Sequence, residues 1–447
     1  MMVTNFIKEY LHKEKHIAPL ITFRVIFGAV MLYSIIRFSV NGWIYTQYIQ
    51  PSFFFSFVDW IKPLSADGMY LLFMVMGLSA LGILLGAFYR ISSIIFFLSF
   101  TYVELLDKTN YLNHYYFISI VGFLLIFLPA HRAISIDACR NPHIKCLKVP
   151  AWTIDIICLQ LGLVYFYAGI AKLNHDWLIR AMPLKIWLPS KSHLPLIGWL
   201  FDYRWVAFAF SWFGAIYDLS IAFLLSWKRS RLWAYATVIA FHVLTAVLFQ
   251  IGMFPFIMIG CTLIFFSERF HISLWKKVRQ LLLLPAFTST EQPKKSVRPS
   301  WFLSVLIFHF VMQILLPWRF MLYPGNLFWT EQGYRFSWRV MLMEKAGYVT
   351  FKVKERGKEG SMEISPSEFL TPVQEKMMST QPDMILQFAH YLSEKMQERG
   401  VEQAEVYAKA YVGLNGRSSK KFIDENVNLA SEPRSWQHKW WILPLNE

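Results

Sequence analysis

Four polar features interrupt an otherwise strongly apolar chain, and their residue types are those of proton chemistry. Val164-Tyr-Phe-Tyr-Ala-Gly-Ile-Ala-Lys172-Leu-Asn-His-Asp-Trp177 puts a lysine at the end of an apolar run, and Asn113-His114 sets an amide beside an imidazole. Phe241-His242 buries a histidine in a further run that continues to Leu248-Phe-Gln-Ile-Gly-Met-Phe-Pro255, and Gln332-Gly-Tyr334-Arg-Phe-Ser-Trp338 is rich in aromatic rings. A lysine acts as a base only when its amine is neutral, and apolar surroundings favour that form. Imidazoles close by can orient a substrate oxygen or stabilise a developing anion. Each feature also has a plainer reading. Lys172 can be a lysine snorkelling from a helix end, His114 a cap or interface residue, Gly252–Pro255 a tight connection, and the rings around Tyr334 interface anchors. His242 resists that treatment, because a histidine within a membrane span faces a cavity or a partner.

The elements that must position these residues follow from hydropathy. Of the 447 residues 55% are hydrophobic and 16% charged, with mean hydropathy +0.38, which is more apolar surface than a soluble chain of this length can bury. A bilayer accommodates it. Runs near 18–38, 69–88, 91–107, 114–130, 150–171, 205–226, 232–249, 251–267 and 301–317 are candidate spans of about 20 residues. The expectation is a polytopic α-helical membrane protein of about nine spans, with the fourth or the eighth short enough to be re-entrant. No short apolar core with a small-residue cleavage site precedes the first span, which is expected to serve as its own insertion signal.

The net charge of +15 raises the question of nucleic acid, but the basic residues sit in short runs between apolar segments. With a cytoplasmic N-terminus, eighteen Lys and Arg fall in loops on that side, from Lys8 to Arg298, against seven on the other. The positive-inside rule explains this better than a binding patch does, so no nucleic-acid partner is expected. An odd number of spans sets the C-terminal region outside. His114, Lys172, the Gln250–Pro255 turn and the Tyr334 segment then converge on the outer leaflet, with His242 about two turns inside it. Cys139, Cys146, Cys158 and Cys261 have no metal-ligand spacing and lie outside the C-terminal region, so neither a metal nor a disulfide framework is expected.

Residues 1–318 therefore form the transmembrane helical domain, and 319–447 an extramembrane α+β, β-rich domain. There Arg339–Met343 and Tyr348–Lys354 read as strands, with Arg356–Gly360 as a turn into another. Thr371-Pro372-Val-Gln374 reads as a capping box opening helices that run towards Gly400. Val406–Val412, followed by Asn415-Gly416, reads as a last strand and turn.

An aromatic cavity open to lipid suits a quinone-like ligand, and here the sequence resembles the vitamin K-dependent gamma-glutamyl carboxylase family, whose bacterial members are HTTM-domain proteins. The similarity runs through the four blocks above and on through Leu370–Met378 and Gln381–Ala389, in order along nearly the whole chain. The resemblance implies an enzyme, a carbon–carbon lyase with coupled epoxidase activity. Reduced vitamin K (phylloquinone or menaquinone hydroquinone) would react with O2, and the resulting base would remove a glutamate gamma-proton so that CO2 adds, with no metal. It implies Lys172 as the base and His114 as the second catalytic residue, with Asn113, Tyr165, His242, Tyr334 and Trp338 as cofactor-binding residues. Its partners would be a Glu-containing protein or peptide and the lipid bilayer. The location would be a bacterial inner membrane, with site and C-terminal domain on the non-cytoplasmic side. The chain departs from the animal enzymes in being shorter and in lacking a cysteine in its outer domain. Two alternatives stay open: a quinone epoxidase or oxidoreductase without carboxylation, and a non-enzymatic quinone- or lipid-binding scaffold.

Overall fold

The structure is a computed structural model that describes residues 13–249, 251–281, 283 and 300–445. Lys8, Gln250, Lys294, Lys295 and Arg298, invoked above for topology and for the turn, lie outside the described residues. The first part is a helical bundle: α1 Ala18–Val40, α2 Ala66–Leu85, α3 Tyr89–Leu106, α4 Asn113–Phe127, α5 Trp152–Lys172, α6 Arg204–Ser226, α7 Arg231–Leu248, α8 Phe254–Thr262, α9 Glu268–Leu281 and α10 Ser300–Leu315. Among the described residues seven helices are long and apolar enough to cross a membrane, or eight if a bent pair counts as one span. The expected nine differ from this at the two weak places. The fourth candidate is a helix of 15 residues, short of a full crossing. The eighth breaks, so that Phe254–Phe265 and Glu268–Leu281 meet at 115°. The protein is a polytopic helical membrane protein, with Trp212, Ile216 and Phe223 among the large apolar side chains left exposed for lipid.

Small residues let the central helices approach. A Cβ on Gly28 of α1 would come within 2.5 Å of Leu84 N in α2. A Cβ on Gly169 of α5 would come within 2.7 Å of Leu219 N in α6. Where apolar surface gains nothing by leaving lipid, such close backbone packing is what holds helices together.

The C-terminal part is a four-stranded antiparallel sheet covered by a helix. Strands β1 Lys345–Glu355, β2 Met362–Ile364, β3 Ala404–Leu414 and β4 Lys420–Lys421 lie in the order β2-β1-β3-β4. The turn residues Asn415 and Gly416, at φ 51° and 73°, close the β3–β4 hairpin. β3 alternates, with Ala404, Val406, Ala408, Ala410, Val412 and Leu414 buried. On the facing helix, Pro382–Glu398, the buried Ile385, Phe388, Ala389, Leu392 and Met396 recur at helical spacing. The capping box forms as expected, Thr371 and Gln374 capping each other at the start of Pro372–Met378. Arg339–Met343 is not a strand. Trp338 and Met341 take positive φ, 59° and 52°, which breaks the extended backbone a strand requires.

The two parts share one apolar core: Ala171, Trp177, Val206 and Leu248 at the ends of the helices pack in the same cluster as Phe351, Phe388 and Val412 of the sheet domain. Charges pin the junction. Asp383 lies 2.7 Å from Arg335 Nη1 and 3.0 Å from Lys108 Nζ, in the loop after α3. Burial alone would raise the Asp383 carboxyl, but Arg335 and Lys108 hold it well below the usual carboxylate range. Asp176 accepts from both Nη atoms of Arg417, at 2.7 and 2.8 Å, and from Asn415 Nδ2 at 2.8 Å. Here too burial acts upward, and the Arg417 and Asn415 hydrogen bonds bring the carboxyl below its ordinary value.

Candidate functional site

Lys172 is the last residue of α5, and its side chain turns into the bundle: the residue is 6% exposed. Nζ donates to Asp218 Oδ2 of α6 at 2.6 Å and lies 3.4 Å from Ala168 O one turn back. The amine stands 5.4 Å from the centre of the Trp177 ring. That ring is fixed by Nε1 donating to Ser211 O at 2.8 Å, while Asn174 caps the Trp177 amide. Gly214 makes room for the lysine stem, since a Cβ there would be 3.8 Å from Lys172 Cε. The Lys-to-Trp block thus builds one device, in which a backbone turn and an indole aim an amine inward instead of towards the membrane surface.

One helical turn pair earlier on α5, Tyr165 Oη lies 3.1 Å from His242 Nε2 of α7 and 3.5 Å from Thr262 Oγ1 of α8. A tyrosine hydroxyl donating to Nε2 leaves the His242 proton on Nδ1. Among the described residues that nitrogen is buried without a hydrogen-bond partner, while the Tyr217 hydroxyl beside Asp218 faces Tyr165. Phe254, the first residue of α8, places its ring 5.5 Å from that of His242 and 5.6 Å from that of His114. His114 is buried at the start of α4 and makes no side-chain hydrogen bond among the described residues. The two imidazoles therefore flank one phenyl ring, each with donor capacity unused.

Asn113, Tyr334 and Trp338 sit in a neighbouring cluster. Asn113 Nδ2 donates to Arg339 O at 2.8 Å, and Tyr334 Oη donates to the same carbonyl at 3.2 Å. Trp338 stacks on Tyr116 of α4 at 4.9 Å, and Tyr116 Oη accepts from Gln313 Nε2 of α10 at 2.7 Å. Their polar groups, apart from Trp338 Nε1, which has no partner among the described residues, are committed to bracing the segment that leads into the sheet domain. The structure so divides the seven expected residues: Tyr165, His242 and His114 gather around Phe254 and Thr262 where α4, α5, α7 and α8 meet, Lys172 pairs with Asp218 of α6 two turns further along α5, and Asn113, Tyr334 and Trp338 form the neighbouring cluster.

Asp218, Tyr217 and Thr262 were not anticipated from sequence. A signal for Asp218 existed, because it is the lone acidic residue within the apolar α6, and an ionisable residue inside a span is a functional candidate in its own right. The chemistry available here is proton transfer at a buried amine in a water-poor, aromatic-walled region. The unpartnered His242 Nδ1 can offer a hydrogen bond to an oxygen brought to it.

Comparison with known proteins bears on the same residues. A family model described as HTTM domain matches residues 12–270, and one described as Vitamin K-dependent gamma-carboxylase, lumenal domain, matches residues 298–447. No solved structure matches the chain.

Proposed function

The chain belongs to the vitamin K-dependent gamma-carboxylase family, its HTTM domain followed by the lumenal domain of that family, and from this membership we propose a specific coupled reaction. In this reading the protein joins oxidation of a reduced vitamin K or menaquinone by O2 to the carboxylation, by CO2, of glutamate in a protein or peptide. The quinone supplies the ring hydroxyls and, with O2, the driving force for removing a glutamate gamma-proton. The chain's residues supply a base, a dry enclosure and orientation. Lys172 Nζ takes the hydroxyl proton. His114 and His242 offer hydrogen bonds to the ring oxygens, His242 through the Nδ1 that has no partner among the described residues. Tyr165 fixes the His242 tautomer. Asn113, Tyr334 and Trp338 close the wall beneath the lumenal domain, keeping water away where electrostatic interactions are strongest. The Lys and Arg distribution supports a lumenal domain on the non-cytoplasmic side, and a bacterial inner membrane fits a menaquinone-type substrate.

The observation that carries this reading is the burial of Lys172 inside the bundle, against Asp218 and Trp177. A snorkelling lysine would reach for the headgroups. The test uses the full chain in lipid nanodiscs with vitamin K hydroquinone, O2, a Glu-containing peptide and labelled CO2. Label in the peptide together with quinone epoxide, both lost in Lys172→Ala, is the expected result. Epoxide without label at any peptide concentration would leave a quinone oxidase, and no turnover of either kind would leave a quinone-binding scaffold.

A further inference from the structure

The Lys172–Asp218 pair poses a problem for a lysine base. Both side chains are buried, at 8% and 7% exposure, with 2.6 Å between Nζ and Oδ2. A buried ion pair is a poor way to gain stability, since apolar side chains of similar size commonly do as well, and within a bilayer it is rarer still. Among the described residues Lys172 is the one charged group acting on Asp218. The titratable groups facing the carboxylate are Tyr165 of α5 and Tyr217 of its own helix. His242 of α7 stands behind Tyr165, with no charge among the described residues acting on it. Asp218 therefore has one partner, and that partner, held as an ammonium, has no lone pair with which to accept a proton.

We propose that Asp218 acts through Lys172 as a positioning residue that receives the proton the amine must shed. This rests on the reading of Lys172 as the base. As the substrate O–H bond breaks, an N–H bond forms at Nζ. On the other side of the amine one N–H bond breaks, and an O–H bond forms at Asp218 Oδ2. The electron pair of the broken bond stays on the substrate oxygen. There it faces an ammonium whose charge the carboxylate no longer neutralises. The net charge of the site is zero before and after, so the transfer avoids creating an unpaired charge in a low-dielectric region. A lone neutral lysine would instead turn the site from neutral amine and neutral substrate into a new ion pair with no carboxylate needed, and Asp218 would only hinder it.

The experiment is an anaerobic infrared difference spectrum of the full chain in nanodiscs on adding vitamin K hydroquinone, with carboxyl-13C aspartate as the label. Without O2, nothing beyond proton transfer proceeds. A carboxylic acid C=O band that shifts with the label and is missing in Asp218→Asn is expected; hydroquinone that quenches the tryptophan fluorescence without producing such a band overturns the inference and leaves the quinone reading standing. Should Asp218→Asn misfold, the isotope shift in the unaltered chain decides alone. In aerobic turnover, Asp218→Asn is expected to form epoxide at least 100-fold more slowly at every pH from 6 to 9, with Asp218→Glu recovering at least tenfold. A rate for Asp218→Asn within threefold of the unaltered chain, or above it at neutral pH, overturns the inference. Failure of the unaltered chain to bind or oxidise hydroquinone would overturn it together with the reading beneath it.

Discussion

Replacing Gly169 by alanine adds one methyl group at a close crossing of α5 and α6. That methyl would stand 2.7 Å from both the Leu219 amide nitrogen and Leu219 Cγ. Ordinary contact is about 3.5–4.0 Å, so the shortfall is about 1 Å, and the obstructing amide belongs to a helix that can yield only by moving as a body. Leu219 follows Asp218, and Gly169 precedes Lys172 by less than one turn. A displacement of that size stretches the 2.6 Å contact to beyond hydrogen-bond reach. Overpacking of this kind costs about 1–3 kcal/mol, against which alanine in place of glycine in a helix returns about 1 kcal/mol. The net expectation is a loss of up to about 2 kcal/mol together with loss of quinone turnover. Gly162 supplies the control two turns away on the same helix. There a Cβ meets only Ala222 Cβ at 3.7 Å, so the propensity gain stands alone and Gly162→Ala is expected to be neutral or stabilising. Thermal unfolding of both variants in the same detergent, with epoxide formation measured alongside, compares the two signs. If Gly169→Ala is as stable and as active as Gly162→Ala, close packing does not set the Lys172–Asp218 geometry.

Asp383→Asn leaves Lys108 and Arg335 without their shared counter-charge at the domain junction. The expected loss is about 2–3 kcal/mol, below the figure for a fully buried pair because the carboxylate keeps some contact with solvent, and hydrogen exchange should show faster opening of the lumenal domain. Asp383 and Asp176 are both held below the ordinary carboxylate value of 3.8. Their contribution to docking is therefore complete above that pH and is lost as pH falls below it, so the difference in unfolding temperature between the unaltered chain and Asp383→Asn should be constant from pH 8 to 5 and shrink below about pH 4. Trp338→Ala removes a fully buried ring stacked on Tyr116 and should cost about 3–5 kcal/mol, read as a lowered unfolding temperature with weakened hydroquinone binding. Asn113→Ala removes one of the two donors to Arg339 O and should cost about 1 kcal/mol, with a larger fall in turnover than in stability if the brace seals the site.

Most of the spans, the presence of a C-terminal sheet domain and the family were legible in the amino-acid sequence, with seven or eight crossing helices among the described residues where about nine were expected. Length and hydropathy decide whether a helix can live in lipid, and alternation and capping act over a few neighbouring residues. Thus Thr371 and Gln374 announce their helix, and Asn415-Gly416 its turn, with no help from the rest of the chain. The 115° bend between Phe254–Phe265 and Glu268–Leu281, and the positive φ of Trp338 and Met341 around the strand that did not form at Arg339–Met343, were not legible in local pattern. The direction of the Lys172 side chain was equally beyond local pattern. A terminal lysine can reach up to the interface or down into the bundle, and its own neighbours in sequence are the same in both cases. What decides is an aspartate 46 residues away, delivered to 2.6 Å by a helix crossing that the small face of Gly169 permits. Residue types set which chemistry was possible. Only packing could pair the amine with its carboxylate, because Coulomb attraction in a medium of low dielectric depends on distance in space and takes no account of separation along the chain.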